Sequence, residues 1–169
     1  MSFEVISITE KWDAAAFQSV MNNPNAARNT GSFPYPYTLE MAEERYQVML
    51  ERMQLAPLAH DYLIWLGGEI AGTIGLFVNT TGGLELGYAV HPDVQGQGIA
   101  TRAVDWILNH LKVAGFTGVL HAGYAKDNPA SGRVLEKKGF KQTGEDTFYS
   151  KGAQCDREGW RLELDMSTL

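Results

Sequence analysis

The hydrophobic pattern divides the chain into alternating and helical stretches. FEVISI alternates and reads as a short strand over Phe3–Ile8. Trp12, Ala16, Val20 and Met21 then recur at helical spacing. NNPNAARNTGSFPYPY follows as a long connection rich in Asn, Gly and Pro, the kind of loop that often carries function. Thr38 is placed to cap the next helix, whose apolar stripe is Leu39, Ala42, Tyr46, Met49, Leu50 and Met53. Glu40, Glu43, Glu44 and Glu51 fall off that stripe and read as a solvated face rather than an amine-binding patch. DYLIWL and EIAGTIGLFV, joined by Gly67-Gly68, form a hairpin signal. A third run, Leu84 to Val90, makes an antiparallel meander with them.

After Val90 the style changes. A glycine-containing loop leads into Val104, Ile107, Leu108 and Leu111, an amphipathic helix ending near Gly115. TGVLHAGYA is a strand. Asn128 offers an N-cap, Pro129 suits the first helical position, and Gly139 ends that helix. FKQTGE and WRLELDM are closing strands. The predicted order is β-α-α-β-β-β-α-β-α-β-β, an α+β arrangement in a single domain over 1–169. No repeat or low-complexity tract interrupts it.

Composition narrows the function classes. The net charge is −6 and no Lys/Arg block occurs, which speaks against nucleic acid and anionic membranes as partners. A cationic or amine partner is allowed by that sign. Cys155 is the only cysteine, so an intrachain disulfide and a cysteine-based zinc site are excluded. It falls in a polar stretch near the C-terminus and reads as inert rather than as an acyl carrier. MSFEVISITEKW lacks the pattern of a signal peptide, and no apolar run approaches the roughly 18 residues of a membrane span. A cytoplasmic protein is expected. His60, His91, His110 and His121 form no close ligand set, so no metal is expected.

The chemistry concentrates in HPDVQGQGIATRA, residues 91 to 103. A strand ends near Val90 and a helix begins near Gly98, so the loop presents unpaired amides at the positive end of a helix. That is an anion site, with phosphate its usual occupant, and glycine lets the backbone approach. A Walker A loop is absent, and Gly96-Gln97-Gly98-Ile99-Ala100-Thr101 lacks the third glycine of the dinucleotide fingerprint. The preceding meander also argues against a dinucleotide-binding βαβ start.

Gln95-Gly96-Gln97-Gly98-Ile99-Ala100 instead matches Q/R-x-x-G-x-G/A, and so resembles the acetyl-CoA loop of the GNAT (Gcn5-related) N-acetyltransferases. LGYAVHPDVQGQGIATRAV looks like that family's strand–loop–helix, and NPASGRVLEKKGF like its second signature. FPYPYT and ELGY look like the ribosomal-protein N-terminal acetyltransferase (RimJ/RimL-like) branch. The resemblance implies a mixed, mostly antiparallel twisted sheet of six or seven strands, about four helices and a splayed central strand pair. It implies acetyl-CoA as co-substrate, its pyrophosphate on Gln95, Gly96, Gln97, Gly98, Ile99, Ala100 and Thr101. The pantetheine arm would lie along Ala89 and Val90, with Asn128 and Ser131 against it. Arg102 and Arg133 are candidates for the 3′-phosphate.

The implied reaction is attack of a neutral amine on the thioester, which needs positioning, proton removal and oxyanion stabilisation. Glu85 shares a strand face with Gly87 and Ala89 and matches the family's base, acting through water; binding a cationic acceptor or capping a bulge are its other readings. The family's usual acid, a tyrosine seven residues after the asparagine, is Leu135 here. Ser131 is left to hydrogen-bond the leaving sulfur, or no acid is used, since a thiol of pKa about 8.5 leaves tolerably as thiolate. Phe33, Tyr35 and Tyr37 either wall the acceptor site or pack with the neighbouring prolines. His121 either lines the cleft or is structural. The acceptor is an amine, on a small molecule or a peptide N-terminus: a protein N-terminus, polyamine, aminoglycoside and amino-acid analogue are all open, as is a homodimer. The competing class is a CoA-binding regulatory or accessory module without turnover.

Overall fold

The structure is a computed structural model that describes residues 1–169. Seven strands form one sheet in the order β1-β2-β3-β4-β5-β7-β6. β1 is Phe3–Ser7, β2 Asp61–Leu66, β3 Glu69–Val78, β4 Leu84–Val90, β5 Val119–Ala125, β6 Lys141–Ser150 and β7 Cys155–Asp165. The helices are α1 Ala14–Met21, α2 Pro24–Arg28, α3 Leu39–Leu55, α4 Ile99–Val113 and α5 Pro129–Lys137. All strand pairs are antiparallel except β4–β5.

Alternation along the strands gives the sheet two apolar faces, each covered by its own helices. Tyr62, Ile64, Ile74, Leu76, Leu86 and Leu120 pack with Ile99, Val104, Ile107 and Leu111 of α4 and Leu135 of α5. Leu63 and Trp65 face the other way, against Phe17, Val20 and Met21 of α1 and Ala42 and Met49 of α3. Gly67 and Gly68 take φ of +58° and +81°, the left-handed region that a two-residue hairpin turn demands.

The parallel contact between β4 and β5 is confined to Leu84↔Leu120 and Glu85↔His121. Beyond it β4 stays with β3 and β5 stays with β7, so the strands part toward their C-terminal ends. The first turn of α5 is wedged between them. Its Ser131 Oγ lies 2.9 Å from the Tyr88 hydroxyl of β4, and Gly132 sits so tightly on β5 that a Cβ there would approach Tyr124 Oη to 2.7 Å.

Three expectations need correcting. The Asn-rich connection is not structureless: Asn23 accepts a hydrogen bond from the Ala26 amide and Pro24 supplies the first position of α2, making five helices rather than four. The closing strands are longer than their alternating cores, a ten- and an eleven-residue pair with a register shift between Gln142 and Gly144. Cys155 stands not in a loop but at the start of β7, where it is exposed.

Candidate active site

The parted strands open onto a cleft of about 930 Å³ that runs through the sheet. One half is floored by the loop before α4. Gly96 and Gly98 there have φ of +76° and +74°, and a Cβ on either would point into open space. The positive φ is what requires glycine, because other residues pay for the left-handed region. No carbonyl of the chain takes up the amides from Gln95 to Thr101; intrachain bonding resumes at Arg102, which donates to Gly98. Seven consecutive amides leading into a helix N-terminus are therefore left without an intrachain partner, and all but that of Gln97 belong to residues lining the cleft, which makes the loop a candidate anion cradle. Gln95 is tied back by its side-chain amide, which donates to the Val90 carbonyl.

Above the cradle lie the free edge of β4 and the first turn of α5. Asn128 occupies the N-cap position but makes no capping bond with its side chain, in contrast to the cap that its type suggests. Its amide group faces the cleft with donors and acceptor unspent. Tyr88, whose ring packs against the core on the opposite strand face from Glu85, lines the cleft and shares a hydrogen bond with Ser131. Burial pushes the Tyr88 hydroxyl above its ordinary pKa, opposed by the Ser131 hydrogen bond. Leu135 is almost wholly buried in the core.

The other half lies on the α1–α3 face. Glu85, Gly87 and Ala89 of β4 share this face with Thr73, Gly75 and Phe77 of β3, and all six line the cleft. Asn79 donates its side-chain N–H to Glu85 Oε1 at 3.2 Å, which fixes one carboxylate oxygen. Asp61 opens β2 opposite Gly75, and its carboxylate lies over that glycine so closely that a Cβ would collide with it. Burial pushes the Asp61 carboxyl above its ordinary range despite the Arg52 and Arg45 charges nearby. Arg45, Arg52, Met49 and Phe33 complete this wall from α3 and the loop before it.

A roof closes this second half. Ser150 Oγ donates to the Ala27 carbonyl, Lys151 N to Gly31 O, and Gly152 packs directly on Ala27, so the α2 segment is fastened to the β6–β7 hairpin. Asp127 adds an ionic clasp, paired with Arg28 at 2.8 Å and with both terminal nitrogens of Arg157.

Of the residues that the sequence singled out, the cleft gathers Glu85, Ala89, Val90, Gln95, Gly96, Gly98, Ile99, Ala100, Thr101, Asn128, Ser131 and Phe33. It leaves several outside. Gln97 belongs to the loop but not to the lining. Tyr37 is core, stacked edge-on against Phe17 with its hydroxyl donating to the Met41 carbonyl. Tyr35 is about half exposed away from the cleft. His121 pairs with Glu163 at 3.6 Å and packs against Gly83. Arg102 lies over the Phe3 ring, and neither it nor Arg133 reaches the lining. Asp61, Arg45 and Arg52 escaped sequence reasoning because each falls on a different element and no short motif joins them. No cluster of three or more His, Cys, Asp or Glu side chains has the geometry of a metal site. No helix is long and apolar enough to cross a membrane.

The fold has counterparts among solved structures. A RimL ribosomal L7/L12 alpha-N-protein acetyltransferase in complex with coenzyme A superposes with a TM-score of 0.80 at 22% identity, covering 98% of this chain and 96% of that one. A spermidine N-acetyltransferase from Vibrio cholerae, in complex with CoA and spermine, gives 0.77 at 19% identity over 98% and 96%. The ribosomal-protein-S5-alanine acetyltransferase of Vibrio fischeri gives 0.72 at 22% identity over 94% and 90%. No curated protein sequence matches the chain. The model of the acetyltransferase (GNAT) domain matches residues 4–141, most of the chain and nearly all of the cleft, so this protein belongs to the GNAT acetyltransferase family, whose acetyl donor is acetyl-CoA.

Proposed function

We propose that this protein is an acetyl-CoA-dependent N-acetyltransferase that moves the acetyl group to a primary amine by direct attack on the thioester. The observation that carries the reading is the run of unpaired amides from Gln95 to Thr101 leading into the parted β4–β5 pair, with a carboxylate on the adjoining strand face. The cradle amides hold the pyrophosphate. The free edge of β4 and the Asn128 side chain hold the amide groups of the pantetheine arm, which brings the thioester toward Gly87.

The amine nitrogen attacks the thioester carbon from the α1–α3 face, forming a C–N bond and a tetrahedral oxyanion. Glu85 accepts the amine proton through a water, with its other oxygen held by Asn79. The C–S bond then breaks. The sulfur leaves as thiolate, stabilised by a hydrogen bond from the Ser131 hydroxyl, which Tyr88 positions from 2.9 Å away, and is protonated afterwards by solvent. The hydrogen bond to sulfur that Leu135 cannot make is thus offered by Ser131 of α5, held by Tyr88 of β4. The acceptor is a protein N-terminus or a small amine.

The test has two stages. CoA and acetyl-CoA at about 100 times Kd should stabilise the fold by about 2.7 kcal/mol, a melting shift of about 5–10 °C, while NAD and ATP do far less. Thiol release from acetyl-CoA with a panel of amines then separates a transferase from an accessory module that binds CoA without turnover. No shift with either CoA species at millimolar concentration overturns the reading.

A further inference from the structure

Four arginines stand around the acceptor half, and they are in two different conditions. Arg28 and the terminal nitrogens of Arg157 are spent on Asp127, although Arg157 Nε is buried without a partner. Arg45 and Arg52 make no side-chain hydrogen bond at all. Arg45 Nε is buried without a partner, and its guanidinium lies over the Phe33 ring, 4.9 Å from the centroid. Arg52 Nη1 approaches Asp61 Oδ2 only to 3.9 Å, too long for a hydrogen bond, and that oxygen is itself buried and unpartnered. Both guanidiniums line the cleft. Two cations face one carboxylate, leaving one positive charge uncompensated in a partly desolvated wall.

We infer that Arg45 and Arg52 are the recognition site for a carboxylate carried by the acceptor next to its amine, so that the acceptor class is a carboxylate-bearing primary amine rather than a polyamine. The inference rests on the transferase reading above and names the substrate class for the same cleft. Guanidinium presents a planar fork of N–H donors that matches a carboxylate in two parallel hydrogen bonds. Phe33 covers one face of the Arg45 fork and leaves its edge as the direction for a ligand. A second carboxylate would balance the wall's charge and take up the idle terminal N–H donors of the two guanidiniums.

The floor fits this placement. Asp61, Gly75 and Gly87 follow one another across β2, β3 and β4 in paired register. The Asp61 carboxylate rests over Gly75, so it stands about 5 Å, one strand spacing, from the Gly87 position where the thioester arrives. An acceptor held by Arg45 and Arg52 above Asp61 therefore has its carboxylate on the α3 wall and its amine directed at β4, with Glu85 alongside. Asp61 keeps the two like-charged guanidiniums together without consuming their donors. A polyamine would bring further positive charge to the same wall and meet repulsion.

Thiol release from acetyl-CoA is measured with glutamate, aspartate, a short peptide bearing acidic residues at its free N-terminus, its amide-neutralised counterpart, and spermine. The parent should acetylate carboxylate-bearing amines with at least about tenfold higher kcat/KM than the neutral peptide and spermine; the amino-acid and peptide arms identify the source of the carboxylate. Arg45→Gln should raise the acceptor KM by about thirtyfold or more, the effect of truncating one partner of a buried charge pair. Arg45→Lys, which keeps the charge and loses the fork, should recover only part of it. Melting shifts with CoA verify that both variants fold and keep the cofactor half. Equal or better turnover of spermine, or a KM untouched by Arg45→Gln, overturns the inference and leaves the transferase reading standing. No turnover of any amine by a CoA-binding protein overturns both.

Discussion

The two halves of the cleft are built on opposite plans. The half proposed for the cofactor is backbone: consecutive amides from one loop, two glycines with positive φ, and the free edge of one strand. The acceptor half is side chains from α3, β2, β3, β4 and the connection before α3, roofed by contacts between α2 and the β6–β7 hairpin. A phosphate chain and a row of amide groups can be met by main-chain atoms that any sequence possesses, provided the conformation is fixed. Discriminating one amine from another takes charges and shapes that only side chains supply. Each half should therefore fail separately.

The largest effect is expected at the seam. Glu85→Gln keeps size and the Asn79 contact but removes the proton acceptor, and kcat should fall by about 10²–10⁴-fold at neutral pH. Partial recovery should follow as rising pH supplies free amine, with acetyl-CoA affinity unchanged. A rise in acceptor KM with kcat intact would make Glu85 an anchor instead.

Gly98→Val breaks the cofactor half alone. A branched side chain at φ +74° costs about 1–2 kcal/mol of backbone strain and stands where the phosphates approach. Acetyl-CoA affinity should drop about tenfold or more, read by calorimetry, in a protein with an unaltered circular-dichroism spectrum. Undiminished affinity would remove the pyrophosphate from this loop.

Gly75→Ala breaks the other half. Its Cβ must displace the Asp61 carboxylate, and with it the neighbouring Arg52. Acceptor KM should rise about threefold to tenfold, the work of roughly 1 kcal/mol, while the melting shift with CoA stays as in the parent. Loss of that shift would show the halves to be one unit.

The smallest effect concerns the roof. Arg157, by hydrogen bond and charge, and Arg28, by charge, hold the Asp127 carboxyl below its ordinary range. A depressed folded pKa means stabilisation that is present above the unfolded value of about 3.9 and lost as pH falls through the folded value. The clasp is solvent-exposed, so Asp127→Asn should lower Tm by no more than about 4 °C near neutral pH. That gap should close as the solution is acidified below about pH 4. A gap that persists in acid would mean the clasp acts by shape rather than charge.

The same contrast explains what was legible in the sequence. Gln95 to Thr101 and Asn128 to Phe140 are contiguous signatures because each encodes a local backbone geometry, and both fall where the pattern placed them. The strand face of Glu85, Gly87 and Ala89 followed from simple alternation. The acceptor wall did not, because Asp61, Arg45 and Arg52 meet only after β2 pairs with β3 and α3 packs across them. Tyr37 and Tyr35 flank prolines alike in sequence, yet one is buried against Phe17 and the other exposed, a difference set by tertiary packing. Alternation alone puts Tyr88 on the face opposite Glu85, where its ring packs on the core, and gives no sign that its hydroxyl meets Ser131. Asn23 and Pro24 did carry a capping signal for α2, masked by the surrounding Asn, Gly and Pro.

An unpaired strand edge at the margin of a sheet is a hazard, because any extended chain can add to it. Here the unpaired edge is in the middle of the sheet, between two strands that separate but remain joined at one end. The first turn of α5 stands in that fork, so the bare edge faces a helix end rather than the margin of the molecule. The protein thus keeps a strand's adhesive capacity on its inside, away from other extended chains.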